Sequence, residues 1–357
     1  MFMERRMSLQ KSHRKILAAY NFDPRDRPRL LPEPRFFEGD EQMVFLHCTD
    51  AQRDSMMTCD GLVCFPEPNW VTVLNPSTRQ LRRFRAGPDP ESPTESEKCV
   101  MGFGRDKVTG SYRVVRMFFD PNFYCEILDV NIGEWLQLNP PPYMVHVGRR
   151  DGGRKSVCVN GSIYWLHIWW GVKILALNLH TLEFHDVSVS FPTRWVTFDS
   201  KIVNLHDRLA IVNTKTEHER SLEIWSMDAE EEIWTNTYSF SLAGATINPW
   251  EQTSFTLVTV SKFGDVLFFD NLKRLFKYYK ETDEIRCLSS DICVISPYLE
   301  NLAPLPSKLG CHSDLDIMTS RCGLLSGSGI SKLLKGITFD IVLITLVRCL
   351  FKNLWNA

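Results

Sequence analysis

The chain has almost no excess of one charge. Its 41 Lys and Arg stand against 43 Asp and Glu, a net charge of -2 at pH 7, so no overall basic field recommends nucleic acid or an anionic membrane as the main partner. The 11 cysteines are an odd count without an even framework of spacings, and no basic start leads into an apolar stretch with a small-residue cleavage site. Secretion is thereby disfavoured and a cytoplasmic or nuclear location expected. Long apolar runs are missing too. The strongest, residues 336–351, is broken by Asp340 and Arg348 and falls short of the about 20 residues that span a bilayer.

Complete chemical signatures are also absent. Gly102-Phe103-Gly104 lacks the third glycine and the following helix of a dinucleotide loop, and residues 326–332 (SGSGISK) lack phosphate-loop spacing. His180, Glu183 and His185 match neither HExxH nor its inverse and straddle a predicted turn rather than one helical face. Cys59 and Cys64 have no matching second pair and read as buried strand cysteines. Glu230, Glu231 and Glu232 read as a solvated hairpin tip. No nucleophile, base and orienter can be assembled, so an enzyme is not expected, and nothing calls for a metal or a cofactor.

What is abundant is aromatic and turn-forming: 10 Trp, 22 Phe and 9 Tyr, with 19 Gly and 19 Pro, a mixture that suits many short strands better than long helices. A unit of apolar strand, polar turn and apolar strand recurs at residues 71–81, 127–135, 174–184, 222–234 and, more weakly, 274–285. Its turn anchors Asn75, Asn131, Asn178, Asp228 and Lys280 are spaced by 56, 47, 50 and 52 residues. That step fits a blade of four short strands, about 40 to 50 residues per repeat. Further hairpins lie between, at 156–166, 201–212 and 255–269, the first turning at Asn160-Gly161, a hairpin signal rather than a glycosylation site. The expectation is an all-β chain, a β-propeller of about five to six four-stranded blades, over 36–306. A β-sandwich or two smaller β domains, which also show short strands at close intervals, are the competing folds.

Residues 1–35 hold nine Lys or Arg and read as a basic helical or linker segment; residues 307–357 read as a Ser/Gly linker and apolar tail. Trp135, Trp165, Trp225 and Trp234 recur at strand positions and are expected to pack between blades. Trp169 and Trp170 follow a strand as neighbours. Successive strand side chains alternate faces, so both cannot enter one core, and the pair is the candidate partner contact.

Taken in order, Cys59 to Cys64 (CDGLVC), Asn75 to Arg79 (NPSTR), Gly102 to Asp106 (GFGRD), Tyr112 to Arg116 (YRVVR) and Val159 to Trp165 (VNGSIYW) resemble the F-box associated domain of plant F-box proteins, and residues 26–31 (DRPRLL) resemble its junction with the F-box. The resemblance implies a substrate receptor of SCF-type (Skp–cullin–F-box) ubiquitin ligases, whose propeller holds a protein target while the F-box docks on a Skp-type adaptor. The 25 residues before DRPRLL contain no Trp and no Leu-Pro opening, so the docking module is expected to be missing or truncated. The alternative reading is a propeller scaffold, or truncated product, without adaptor binding.

Overall fold

The computed structural model describes residues 15–20, 42–47, 56–67, 70–85, 99–119, 122–145, 156–169, 171–215, 220–228, 232–243, 253–289 and 293–305. They form strands throughout, with one three-residue 3-10 turn at Thr193–Trp195 and no α-helix among the described residues. The expectations for residues 307–357 lie outside them.

Strands β1 (Lys15–Tyr20) and β2 (Gln42–His47) pair in parallel. Five antiparallel four-stranded sheets follow. The first is β3 (Met57–Cys59), β4 (Leu62–Glu67), β5 (Trp70–Asn75) and β6 (Gln80–Arg85); the second is β7 (Cys99–Arg105), β8 (Tyr112–Phe118), β9 (Tyr124–Asp129) and β10 (Glu134–Leu138). The third is β11 (Val157–Val159), β12 (Ser162–His167), β13 (Lys173–Asn178) and β14 (Phe184–Val187). The fourth is β15 (Lys201–Leu205), β16 (Arg208–Lys215), β17 (Ser221–Met227) and β18 (Trp234–Ser241), and the fifth is β19 (Phe255–Val260), β20 (Val266–Asp270), β21 (Leu275–Tyr279) and β22 (Glu284–Ser289). Finally β23 (Cys293–Tyr298) returns to pair antiparallel with β1, giving a three-stranded sheet in the order β2-β1-β23.

The arrangement is a β-propeller, with five four-stranded blades and a sixth sheet of three strands built from both parts of the chain. Residues 15–20 therefore differ from the basic arm read in the sequence. The run Lys15-Ile-Leu-Ala-Ala-Tyr20 is an apolar island among basic residues, and Ile16, Leu17 and Ala18 are buried in the closing sheet.

Each apolar core lies between two neighbouring sheets. Val73 and Phe84 of the first sheet meet Val114 and Leu128 of the second; Val115 and Ile127 of the second meet Trp165 and Leu177 of the third. Ile174 and Ala176 then meet Ile211 and Met227, and Leu222 and Ile224 meet Phe255 and Phe268. Ile16 and Ala18 complete the series against Val258 and Leu267. A middle strand is thus buried on both sides, and its alternation sorts side chains between two neighbours. In β17, Leu222 and Ile224 face the fifth sheet while Trp225 and Met227 face the third.

The tryptophans expected between sheets are found there. Trp165 donates its indole N–H to the Met101 carbonyl at 2.9 Å. Trp135 and Trp234, which open or nearly open the fourth strands of their sheets, donate to Arg85 O and Ser188 O, both 2.8 Å away, where the preceding sheet's fourth strand ends. Glycine makes the close approach possible: a Cβ on Gly102 would lie 2.5 Å from the Trp165 ring, and one on Gly104 would lie 2.8 Å from Ile163.

Residues 299–305 fasten the ring to the first sheet. The buried Asn75 donates Nδ2 to the carbonyls of Asn301 and Ala303, each at 2.9 Å, while its Oδ1 accepts from the Ser77 and Thr78 N–H groups. Asn301 in turn donates to Asp60 O at 2.9 Å and to the Tyr112 hydroxyl at 2.7 Å, and Leu305 N donates to Gln80 Oε1 at 2.7 Å. Gly61, at φ +79°, leaves room for this strap, since a Cβ there would lie 2.0 Å from the Leu299 carbonyl oxygen.

Two substitutions test this closure. Asn75→Ala strips two carbonyls and two N–H groups of a buried partner and is expected to lower the unfolding free energy by about 2–3 kcal/mol. Gly61→Ala combines an unfavourable φ with a backbone clash and is expected to cost about 3 kcal/mol or more. Urea unfolding of the purified chain measures both.

Candidate partner-binding face

Antiparallel order makes successive connections alternate between the two ends of each sheet, so the ring has two unlike faces. One carries the hairpins between first and second and between third and fourth strands, all two to six residues long. The other carries the linkers between sheets. Four of these are long: 13 residues at 86–98, 188–200 and 242–254, and 18 at 139–156.

The hairpin face is stitched together. Asp60-Gly61, Asn160-Gly161 and His206-Asp207 all have positive φ at both positions, the backbone of two-residue type I′ turns. Arg105 reaches Asp60 at 3.4 Å, Lys107 bonds to Asn160 Oδ1, Asn160 Nδ2 donates to Asp207 O at 2.9 Å, and His206 meets Val260 O at 3.1 Å. Each contact links one sheet to the next.

His180, singled out in the sequence, belongs to this face. It sits in the turn between β13 and β14 with Nδ1 3.5 Å from Asp106 Oδ2. Burial acts to raise the Asp106 carboxyl, yet hydrogen bonds from Thr109 (2.7 Å), from the Val108 N–H (2.8 Å) and from His180 hold it below its ordinary value. Arg113 Nη1 donates to Leu179 O at 2.7 Å beside it. The cluster is a strut between the second and third sheets. Cys59 and Cys64 are buried strand cysteines.

The linker face is built differently. The β12–β13 connection presents Trp169, 55% exposed, and the linker after β14 presents Phe198, 52% exposed. Their rings meet edge to face, centroids 6.0 Å apart at 75°. Phe198 is held outward by its own loop: the Thr197 N–H donates to Ser200 Oγ at 2.9 Å, and Ser200 Oγ donates to Asn213 Oδ1 at 2.8 Å in the interior.

The end of β12, two residues before Trp169, packs against the linker to the third sheet. Buried His167 packs against the Tyr143 ring at 5.8 Å, Lys173 lies over that ring at 4.7 Å, and the Tyr143 hydroxyl donates to Asp186 at 2.5 Å. Burial, then the Asp186 hydrogen bond and charge, push the Tyr143 phenol above its ordinary value, so it stays a donor. Exposed Phe123 and Met144 stand on the same face, in the β8–β9 connection and the linker to the third sheet.

Of the two tryptophans proposed from the sequence, Trp169 is at the surface and Trp170 lies outside the described residues. Phe198 was not foreseen. It stands 29 residues from Trp169 in a linker with no periodicity, where only the fold makes the two adjacent.

The ring of sheets has a counterpart among known families. Residues 35–292 match the F-box associated beta propeller domain. The chain belongs to that family. Three Arabidopsis thaliana proteins show the same relationship over nearly the whole chain. An F-box/LRR-repeat protein is 52% identical, covering 94% of this chain and 83% of its own length. An F-box/kelch-repeat protein is 53% identical, covering 94% and 84%, and an F-box protein is 51% identical, covering 94% and 85%.

The motif residues that carried the resemblance (Gly61, Asn75, Gly102, Asp106, Arg113, Asn160 and Trp165) all stand at contacts between sheets or in the turns that make them. They hold the ring.

The Asp106 strut has a pH signature. A folded-state pKa below the ordinary carboxylate value of 3.8 adds stability above that value, which is lost as pH falls through the lower folded one. Asp106→Asn is expected to be less stable than the parent at pH 6, with the gap narrowing below pH 3.8. Urea midpoints across that range read it.

Proposed function

We propose that this propeller is a target-recognition module of the kind that serves SCF-type ubiquitin ligases, and that it takes its protein target on the linker face at Trp169 and Phe198. The reading rests on one observation: the two faces differ, one closed by short stitched hairpins, the other carrying long linkers and a half-exposed aromatic pair whose rings meet edge to face. Binding residues gather on loops held by a stiff scaffold, and exposed tryptophan in a fixed conformation is a common anchor of protein interfaces. Family membership and F-box relatives support this choice of pathway. The proposed role is binding rather than catalysis, in the cytoplasm or nucleus, with a Skp-type adaptor and a cullin as further partners wherever a docking element is present.

Two measurements test this. The chain and a version with a grafted N-terminal F-box are each co-expressed with a plant Skp-type adaptor. Recovery of the adaptor with the chain as it stands places it in the ligase directly, whereas recovery with the graft alone supports a binding propeller without adaptor contact. The grafted complex is then used to capture proteins from plant extract, beside the Trp169→Ala, Phe198→Ala double variant. The expected outcome is a set of captured proteins lost about tenfold or more in the variant, with adaptor recovery and melting temperature unchanged. Equal capture by both would remove the target surface from this aromatic pair.

A further inference from the structure

Two thiols lie where the first strands of the first three sheets come together. Cys59 closes β3, immediately before the Asp60-Gly61 turn, and Cys158 lies in β11, two residues before the Asn160-Gly161 turn. Strands β3, β7 and β11 touch one another there. The two side chains, 99 positions apart in sequence, meet in one apolar cluster, Cys59 within it and Cys158 packed against it. Cys59 is buried and Cys158 partly exposed. Glycine at 104 lets the Cys158 sulfur sit close against β7, since a Cβ there would lie 2.9 Å from it.

We propose that Cys59 and Cys158 form an oxidisable dithiol, which a hydroperoxide converts into a disulfide tying the first sheet to the third. The Cys158 thiolate attacks the outer peroxide oxygen. The O–O bond breaks, the sulfur becomes a sulfenic acid, and the other oxygen leaves as an alcohol, or as water when the oxidant is hydrogen peroxide. Cys59 then gives up its proton and its sulfur attacks the Cys158 sulfur. The S–O bond breaks, the S–S bond forms, and a second water leaves with that proton. Two thiols lose two electrons in total and the peroxide gains them.

The surroundings assign the order of attack. Interaction with the Cys59 thiol, together with the backbone N–H groups of Arg105 and Gly161, outweighs burial and holds Cys158 below the usual thiol range, whereas its partner Cys59 is pushed well above it by that same interaction and by burial. Thiolate character and access decide which cysteine reacts first. Cys125, which burial pushes up to about 12, and the fully buried Cys64 lack both.

The test uses the purified full chain, reduced, exposed to an equimolar amount of hydrogen peroxide, blocked with N-ethylmaleimide and digested without reductant. Mass spectrometry is expected to find a peptide pair joined through Cys59 and Cys158 as the main oxidation product. Without peroxide, Cys158 should be alkylated about tenfold faster than Cys64 or Cys125. In a Cys59→Ser chain, dimedone should trap the sulfenic acid on Cys158, which the parent chain passes on to the disulfide. The proposal fails if Cys59 and Cys158 stay separately alkylated after peroxide, or if the joined peptides involve other cysteines. Mapping of the parent chain decides this even if the serine variant does not fold.

Discussion

A ring of sheets holds together only if it has no free end. Each sheet buries its two faces against two neighbours, so the sheet at an opening would expose one whole face to water, at roughly 25 cal/mol for each Å² of apolar surface. The pairing of β1 with β23 removes the opening. Ile16 and Ala18 cover the fifth sheet, and the strap from Leu299 to Leu305 covers the first, its Leu305 side chain buried between the first and second sheets. Without that closure the core between the closing sheet and the fifth sheet would lose one of its two walls.

The local parts of this architecture could be read from the sequence. Type I′ turns and two-residue alternation depend on neighbours a few positions apart, so Asn160-Gly161 and the hairpins at 156–166, 201–212 and 255–269 were visible. The third-strand turns recurred at the right step, although in the second sheet the capping side chain is Asp129, whose Oδ1 accepts from the Asn131 and Ile132 N–H groups, and not Asn131 itself. The closing sheet was hidden because it pairs Lys15 with Tyr298, and no periodicity connects residues so far apart. A six-residue apolar run in a basic context is also as consistent with a helix turn as with a strand.

The same division applies to the site. Trp169 was legible because two adjacent tryptophans after a strand cannot share a core. Phe198 and the Cys59–Cys158 pair were not, because each depends on an approach between distant segments. The residues of the recognisable motifs, by contrast, serve almost wholly as ring contacts. A family signature of this kind identifies the scaffold well and leaves Trp169 and Phe198 outside its reach.

The closing sheet also has a consequence for how the chain is made. β1 leaves the ribosome long before β23, and until β23 appears it has only the parallel strand β2 beside it in their sheet, a pair too small to be stable alone. At about 5–20 residues per second, the 278 positions from Tyr20 to Tyr298 take roughly 15 to 55 s. During that interval the apolar edge of Ile16 and Leu17 is open to other chains. Closure of the ring therefore waits on the synthesis of β23, the last strand among the described residues.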